Sequence, residues 1–475
     1  MGSKFLRLAA SAFGRFVAAH FVLALLIAVS LWGAPLTVWL MAAPVLFFSG
    51  SKFIGLLFAT RGLDDDATAF ASFMDMAAAQ PMLKEYYEGA KVENVAEQKN
   101  VALAMIPKDT DAEGKYVTVP TVWEVGQGIS SNFALAQLNQ TPNQFVEFMV
   151  PLRPDYAIHS ISEQARVASG SNVGAFMKMA TSVVDGALQG SAKSASSALY
   201  RSGTGSVGQI STITAGVIVL SNPADIAQFS VNQVLQANST DGGSPRAALA
   251  YVIARSVMTG AVTVSTVSGG AAGTPTGWAA NDFLVRQGDN NAKMTGFAAW
   301  LPLTAPTSSD NFYGVNRSVD TRLFGLAYPG SQAAIEETLI DASMLVAREG
   351  GDPRHHFTSF GTQAALDKAL GARREFVSYE KNAVVGFRGI RIQGPMGDIE
   401  SYADYSCQAN TGWLLQLDTW KLYSVGGAVP HIKKYLDGQD FFRISNADAM
   451  EIRVGYFGNI GCRAPGWNSQ ITFGA

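Results

Sequence analysis

The chain has 475 residues, a length that predicts roughly two to four packed units. Charged residues make up 15% and glycines number 47, which excludes a charged disordered tail and a coiled coil. Lys and Arg total 35 against 38 Asp and Glu, a net charge of -3. The cation surplus that a sequence-independent nucleic-acid binder needs to displace counterions is therefore missing.

Residues 16–50 carry no charge apart from His20, and Lys4, Arg7 and Arg15 precede them. FVLALLIAVSLWG and PLTVWLMAAPVLFF, separated by Gly33-Ala34-Pro35, read as one long or two short membrane segments, or as a signal-like region. Beyond Gly62 the character changes. Asp64-Asp65-Asp66 reads as a solvated charge run, and an amphipathic stretch follows. Three readings of the first seventy residues stand: a membrane leader, a partly buried assembly extension, or upstream sequence joined by a wrongly chosen start near Met74 or Met76. The third is the expectation, because everything after residue 70 reads as a soluble domain that needs no anchor.

Residues 74–90 suit a short helical arm broken at Pro81. Residues 101–108 are apolar. Residues 116–125 are rich in Val, Thr and aromatics and predict a strand, with 145–150 and 156–161 as returning strands around a polar tip. A hairpin that long cannot bury both faces alone, so it needs another surface to lie on, such as a neighbouring subunit.

Residues 174–201 form the best helix, with Phe176, Ala180, Val183, Val184, Ala187, Leu188, Ala195 and Leu199 at helical spacing. It spans about 40 Å and stops at Ser202-Gly203. From 205 to 300 short strands alternate with turns, punctuated by Gly242-Gly243 and Gly269-Gly270. This predicts a small inserted β-barrel or sandwich. Residues 332–348 make a second amphipathic helix with Ile335, Leu339, Ala342 and Val346 on one face. A third covers 362–370 and is stopped by Gly371. The remainder mixes strands and turns.

Motifs that suggest chemistry are weak. Gly203-Thr-Gly-Ser-Val-Gly208 matches a dinucleotide fingerprint, but a helix enters it and strands leave, the reverse of what phosphate binding at a helix N-terminus needs. His355 and His356 are neighbours, and in a strand they point to opposite faces. His159 and His431 lack carboxylate or cysteine partners at recognisable spacing. Asn139, Asn238 and Asn316 open glycosylation triplets of the kind polar loops produce by chance. Cys407 and Cys462 are far apart and form no Cys-x-x-Cys pair, which argues for reduced thiols over a disulfide framework or zinc site. No catalytic, cofactor-binding or metal-binding residue is assigned, no cofactor is implied, and an enzyme is not expected.

The pattern from Met74 onward resembles the major capsid proteins of tailed bacteriophages, the Hong-Kong-97-type fold. MDMAAAQPMLKEYYEG looks like the N-arm, residues 116–161 like the extended E-loop and 174–200 like the spine helix of the peripheral domain. SQAAIEETLIDASMLVAREGG looks like the second peripheral helix. HHFTSFGTQAALDKALG and FRGIRIQGPMGDIESYADYSCQANTGWLLQLDTWKLYSVG look like the axial domain, and AMEIRVGYFGNIGCRAPGWNSQITF like the closing strand region. The greasy residues 16–50 do not resemble the charged helical extension in which that family fuses its scaffold. Some members cross-link hairpin lysines to a neighbour, but this chain has no lysine between Lys115 and Lys178 and lacks that nucleophile.

The resemblance implies an α+β fold divided into a hydrophobic N-terminal segment (1–62), N-arm (63–110), E-loop hairpin (111–162), peripheral domain with spine helix (163–202), inserted β-domain (203–302), second peripheral helix (303–354), and axial domain with closing strand (355–475). It implies a structural subunit that self-assembles through hexamers and pentamers into an icosahedral shell around phage double-stranded DNA. The implied partners are other copies of the chain, a portal protein and a scaffolding protein, with DNA held without sequence-specific contact. The implied place is the virion, assembled in the host cytoplasm, with no membrane role for residues 74–475. The alternatives are an encapsulin-type nanocompartment shell, which shares the fold but holds protein cargo, and a membrane-anchored protein built on residues 16–50.

Overall fold

In a computed structural model of the protein, residues 73–74, 100–168, 179–330, 334–371, 375–379, 387–434, 438 and 440–474 are described. The expected apolar segment, the acidic run, most of the arm and the first turn of the long helix lie outside them. Among the described residues no helix is long and apolar enough to cross a membrane.

Helix α1 (Val101–Met105) buries Val101, Ala102 and Leu103, and Ile106 follows them into the main core. Its open N-terminus is met by a buried carboxylate, with Ala102 N donating to Asp404 Oδ2 at 3.2 Å. A negative group there answers amides that have no partner inside the helix. Residues 101–106, expected within the arm, are therefore core.

Strands β1 (Tyr116–Glu124) and β2 (Gln144–Pro151) form an antiparallel hairpin with Val119 opposite Phe148. A short helix, α2 (Phe133–Leu138), sits at its tip. Strand β3 (Arg153–Ser162) corrects the expectation. It is not a returning strand of the hairpin but pairs with a strand some 300 residues later, Ala449–Cys462, with Ile161 opposite Met450 and Tyr156 opposite Gly455. Gly455 permits the approach, since a Cβ there would overlap the Asp155 carbonyl. The hairpin therefore ends at Pro151 rather than at residue 162.

Helix α3 (Met179–Tyr200) lies on this sheet. Val183 and Ala187 pack with Ile161, Ala165, Ile452 and Val454, while Ala195, Leu199 and Tyr200 reach the main core. Alanine and serine along the buried side let helix and sheet approach closely.

The next six strands are β4 (Ser206–Thr214), β5 (Val217–Leu220), β6 (Val234–Asn238), β7 (Ala250–Ser256), β8 (Ala261–Ser265) and β9 (Phe283–Arg286). They close into a barrel in the order β8-β5-β4-β9-β6-β7. Alternate residues fill it, among them Ile210, Ile218, Leu235, Val252, Val262 and Leu284, with Phe229 and Trp278 completing the core. Closure removes the sheet edges that an open sandwich would present. The chain enters and leaves at one place. Asn291 N donates to Thr204 O at 2.9 Å. Gly205 has φ +83 and lies so close to Asp289 that a side chain would overlap its carbonyl.

Barrel pairing ends at Arg286, short of residue 302. Met294 and helix α4 (Phe297–Trp300) belong to the main core instead. Trp300 meets Phe148 edge-on at 5.1 Å, and Phe297 meets Trp420 at 4.9 Å.

A second sheet runs β10 (Leu326–Gly330), Ser469–Phe473, Thr411–Leu415, His355–Thr358, Asp398–Ala403, Phe387–Gln393 and Glu375–Tyr379 in spatial order. Helix α5 (Ile335–Arg348) places Leu339 and Ala342 against Leu414, Ile471 and Phe473 of this sheet. Helix α6 (Phe360–Leu370) adds Leu366 to the same cluster. The second amphipathic helix, expected beside the long helix in the peripheral domain, thus packs on the sheet that holds residues 355–358, 398–403 and 411–415. Trp420–Ser424, expected in the axial domain, and Ala449–Cys462, expected in the closing strand region, pair with each other in the sheet of β3.

Candidate interaction surface

The hairpin is built from its root outward. Val119, Phe148 and Val150 are buried in the main core, and Met149 N donates to Tyr313 O at 3.0 Å. Thr121 Oγ1 donates to Arg463 O at 2.7 Å. Trp123 and Val146 still pack against the main core, and beyond them the hairpin projects toward its tip. A cleft of about 490 Å³ opens on one side, lined by Trp123, Glu124, Arg322 and Trp467. Another of about 320 Å³ lies along Phe145, Glu147, Val315 and Val319.

The tip is preformed. Asn132 Oδ1 accepts from Ala134 N at 3.0 Å and Leu135 N at 3.4 Å, capping α2. Gly126 N donates to Asn143 Oδ1 at 2.6 Å, and Gln127 N donates to Thr141 Oγ1 at 2.8 Å. What this scaffold displays is apolar. Ile129 is 92% exposed, Phe133 82%, Leu138 78% and Phe145 67%. Residues 125–146 contain no charge. Each such side chain gains about 1.5–3 kcal/mol when another surface covers it fully. Among the described residues little of the chain covers this ordered, uncharged projection, and exposed apolar side chains grouped in this way are typical of contact surfaces.

Arg322 connects the hairpin to the body. Its Nε and one terminal nitrogen donate to the two Asp320 oxygens at 2.9 and 2.8 Å, and the same terminal nitrogen pairs with Glu124. The hydrogen bonds from Arg322 hold the Glu124 and Asp320 carboxyls below the usual carboxylate range, and these partners raise the Arg322 guanidinium.

A buried ionic cluster fixes the barrel root. Lys293 Nζ lies 2.7 Å from Asp155 Oδ1 and 3.2 Å from Asp289 Oδ2, and donates to Ser194 Oγ at 3.0 Å. Arg286 donates to the same Ser194 oxygen at 3.1 Å, and Arg201 pairs with Asp225 at 2.8 Å. Burial raises the Asp225 and Asp289 carboxyls despite these cations. Burial, with Arg286 and Arg255 nearby, lowers Lys193 to about 8.

The residues singled out in the sequence are dispersed. His356 is fully buried, its Nδ1 2.8 Å from Ser401 Oγ, and burial pushes it down to about 3. His355 lies beside it half-buried, and His431 meets the Ala428 carbonyl. Among the described residues no cluster of three metal-ligating side chains occurs. The glycine fingerprint joins the end of α3 to β4, with the helix entering and a strand leaving. Cys407 and Cys462 are free and buried, and burial raises both thiols, Cys462 to about 12. Asn238 is fully buried and bonded to Asn290, so it is no surface glycan acceptor. Sequence reasoning missed Lys293–Asp155 and Arg322–Glu124. Their members lie 138 and 198 residues apart, and nothing local marks them as partners.

No protein-family model matches the chain, and no curated protein matches it. Among solved structures the chain is similar to the Cyanophage A-1(L) capsid asymmetric unit, with 12% identity, TM-score 0.48, and coverage of 82% of this chain and 96% of that one. It is also similar to the capsid of a native GTA particle, at 11% identity, TM-score 0.43, and coverage of 82% and 96%. A third is the holo-SrpI encapsulin complex from Synechococcus elongatus, at 6% identity, TM-score 0.42, and coverage of 84% and 94%.

Proposed function

We propose that this chain is a structural shell subunit, the major capsid protein of a tailed-phage-type particle. It assembles through hexamers and pentamers into an icosahedral shell that encloses double-stranded DNA. The observation that carries the reading is the hairpin. It is ordered by its own hydrogen bonds yet leaves Ile129, Phe133, Leu138 and Phe145 uncovered. A subunit that acted alone would gain nothing from such a projection, whereas one that tiles a shell lays it over a neighbour. Repetition by symmetry turns a modest apolar contact into a stable closed surface. The net charge of -3 suits a container, since a strongly basic wall would hold the genome during filling. Other copies of the chain are the principal partners, with a portal and a scaffolding protein completing the particle in the host cytoplasm.

Sedimentation of the purified full chain tests this, followed by nuclease treatment of any particle. Fast-sedimenting closed particles with nuclease-protected double-stranded DNA, from a host carrying the rest of the particle genes, are expected. Closed particles filled with protein cargo would favour the encapsulin-type shell. A chain that stays monomeric under all assembly conditions contradicts both.

A further inference from the structure

We propose that Arg322 is a positioning residue that sets the direction in which the hairpin leaves the body; its importance rests on the shell reading above. The hairpin is anchored at its root by buried Val119 and Phe148 and by the bonds of Met149 and Thr121. At the outer edge of that root, where Trp123 and Val146 still touch the main core, the register of β1 against β2 shifts between Val122 and Glu124, a bulge at which a strand bends. Open clefts flank both sides of this bend. The Arg322–Glu124 pair spans it at the outermost point of attachment.

The geometry suits a strut rather than an incidental surface pair. Asp320 grips the guanidinium through two nitrogens and also accepts from Arg322 N at 2.8 Å, so the fork is oriented before Glu124 meets it. Gly466 packs against the Arg322 backbone so closely that a Cβ there would lie 2.5 Å from Arg322 Cα. An oriented, backbone-anchored arginine loses less side-chain freedom on pairing than an unrestrained one. Without it the outer hairpin would pivot about the bulge, while its tip, closed by its own bonds, would stay intact.

Hydrogen–deuterium exchange on the full chain, kept unassembled at low concentration, tests the proposal. Glu124→Gln leaves every bond between Arg322 and Asp320 in place, so it isolates the strut from the fold. Exchange at residues 121–124 and 144–147 is expected to rise about fivefold in Glu124→Gln and in Arg322→Met. Arg322→Lys, which keeps the charge but not the fork, recovers part of the protection. Amides at the root and in the barrel stay as in the wild type. Unchanged exchange in Glu124→Gln, or an equal rise at the root and in the barrel, overturns the proposal. The readout concerns one subunit, so its failure leaves the shell reading to be judged by particle formation.

Discussion

Lys293 Nζ lies 2.7 Å from Asp155 Oδ1, and both side chains are about nine-tenths buried. The pair joins the segment leaving the barrel to the strand that follows the hairpin, and Ser194 of the long helix bonds to both partners. Three parts of the fold thus meet at one ion pair. Lys293→Met leaves the Asp155 carboxylate buried without its cation, which costs about 3–5 kcal/mol. Urea unfolding checks this. A loss under about 1 kcal/mol, the size expected of a surface pair, would show that Ser194 and water already satisfy the carboxylate.

The barrel is expected to be removable, with boundaries set by the packing. Thr204 and Asn291 are hydrogen-bonded at its neck. Replacing residues 206–288 by a short Gly-Ser linker should therefore leave a soluble chain with its helices intact by circular dichroism. Extending the deletion to Trp300 removes Met294, Phe297 and Trp300 from the main core and should unfold the chain. Equal behaviour of the two deletions would refute the boundary.

The hairpin tip should matter to assembly and not to folding. Phe133→Ser combined with Leu138→Ser alters side chains that are 82% and 78% exposed, so stability should change by no more than about 0.5 kcal/mol. Particle formation measured by sedimentation should fall sharply. Normal shells from this variant would sink the inter-subunit role of the tip.

Acid should destabilise the fold through His356. Burial holds its folded pKa at about 3, below the roughly 6.5 of an unfolded imidazole, so the unfolded state takes up the extra proton first. The stability from keeping this ring neutral is complete above about pH 6.5 and is lost as the pH falls toward about 3. Between pH 7.5 and 5 the loss is about 2 kcal/mol, its slope approaching about 1.4 kcal/mol per pH unit once the pH is well below 6.5. The raised carboxyls of Asp225, Asp289 and Asp404 act in the opposite sense, so the comparison must be made against His356→Gln. The wild type should lose about 2 kcal/mol more than this variant over that interval. Parallel losses would assign the acid sensitivity elsewhere.

Local pattern revealed the elements better than their partners. The helical spacing of Val183, Ala187, Ala195 and Leu199 marked the long helix, and it does present that face to the core. Short strands between glycine turns marked the barrel region. But periodicity reports which face of a strand is buried, not what covers it. Nothing near Tyr156 or Ile161 says that their neighbours are Gly455 and Met450. The resemblance groups α5 with the peripheral elements and the turn pattern groups Phe297 and Trp300 with the barrel, whereas α5 packs on the second sheet and the two aromatics in the main core. Their apolar character was plain, but the aromatic cluster they join is assembled from residues 148, 312, 413 and 420, distant in sequence. In sequence the tip reads as polar, because Gly, Ser, Asn and Gln outnumber Ile129, Phe133 and Leu138 there.

Electron microscopy of particles purified from cells expressing the full chain tests the central claim most directly. The account predicts closed icosahedral shells whose walls resolve into hexameric and pentameric units, with each hairpin tip lying on a neighbouring subunit. Monomers or open, irregular aggregates, or closed shells whose hairpin tips touch no neighbour, would contradict it.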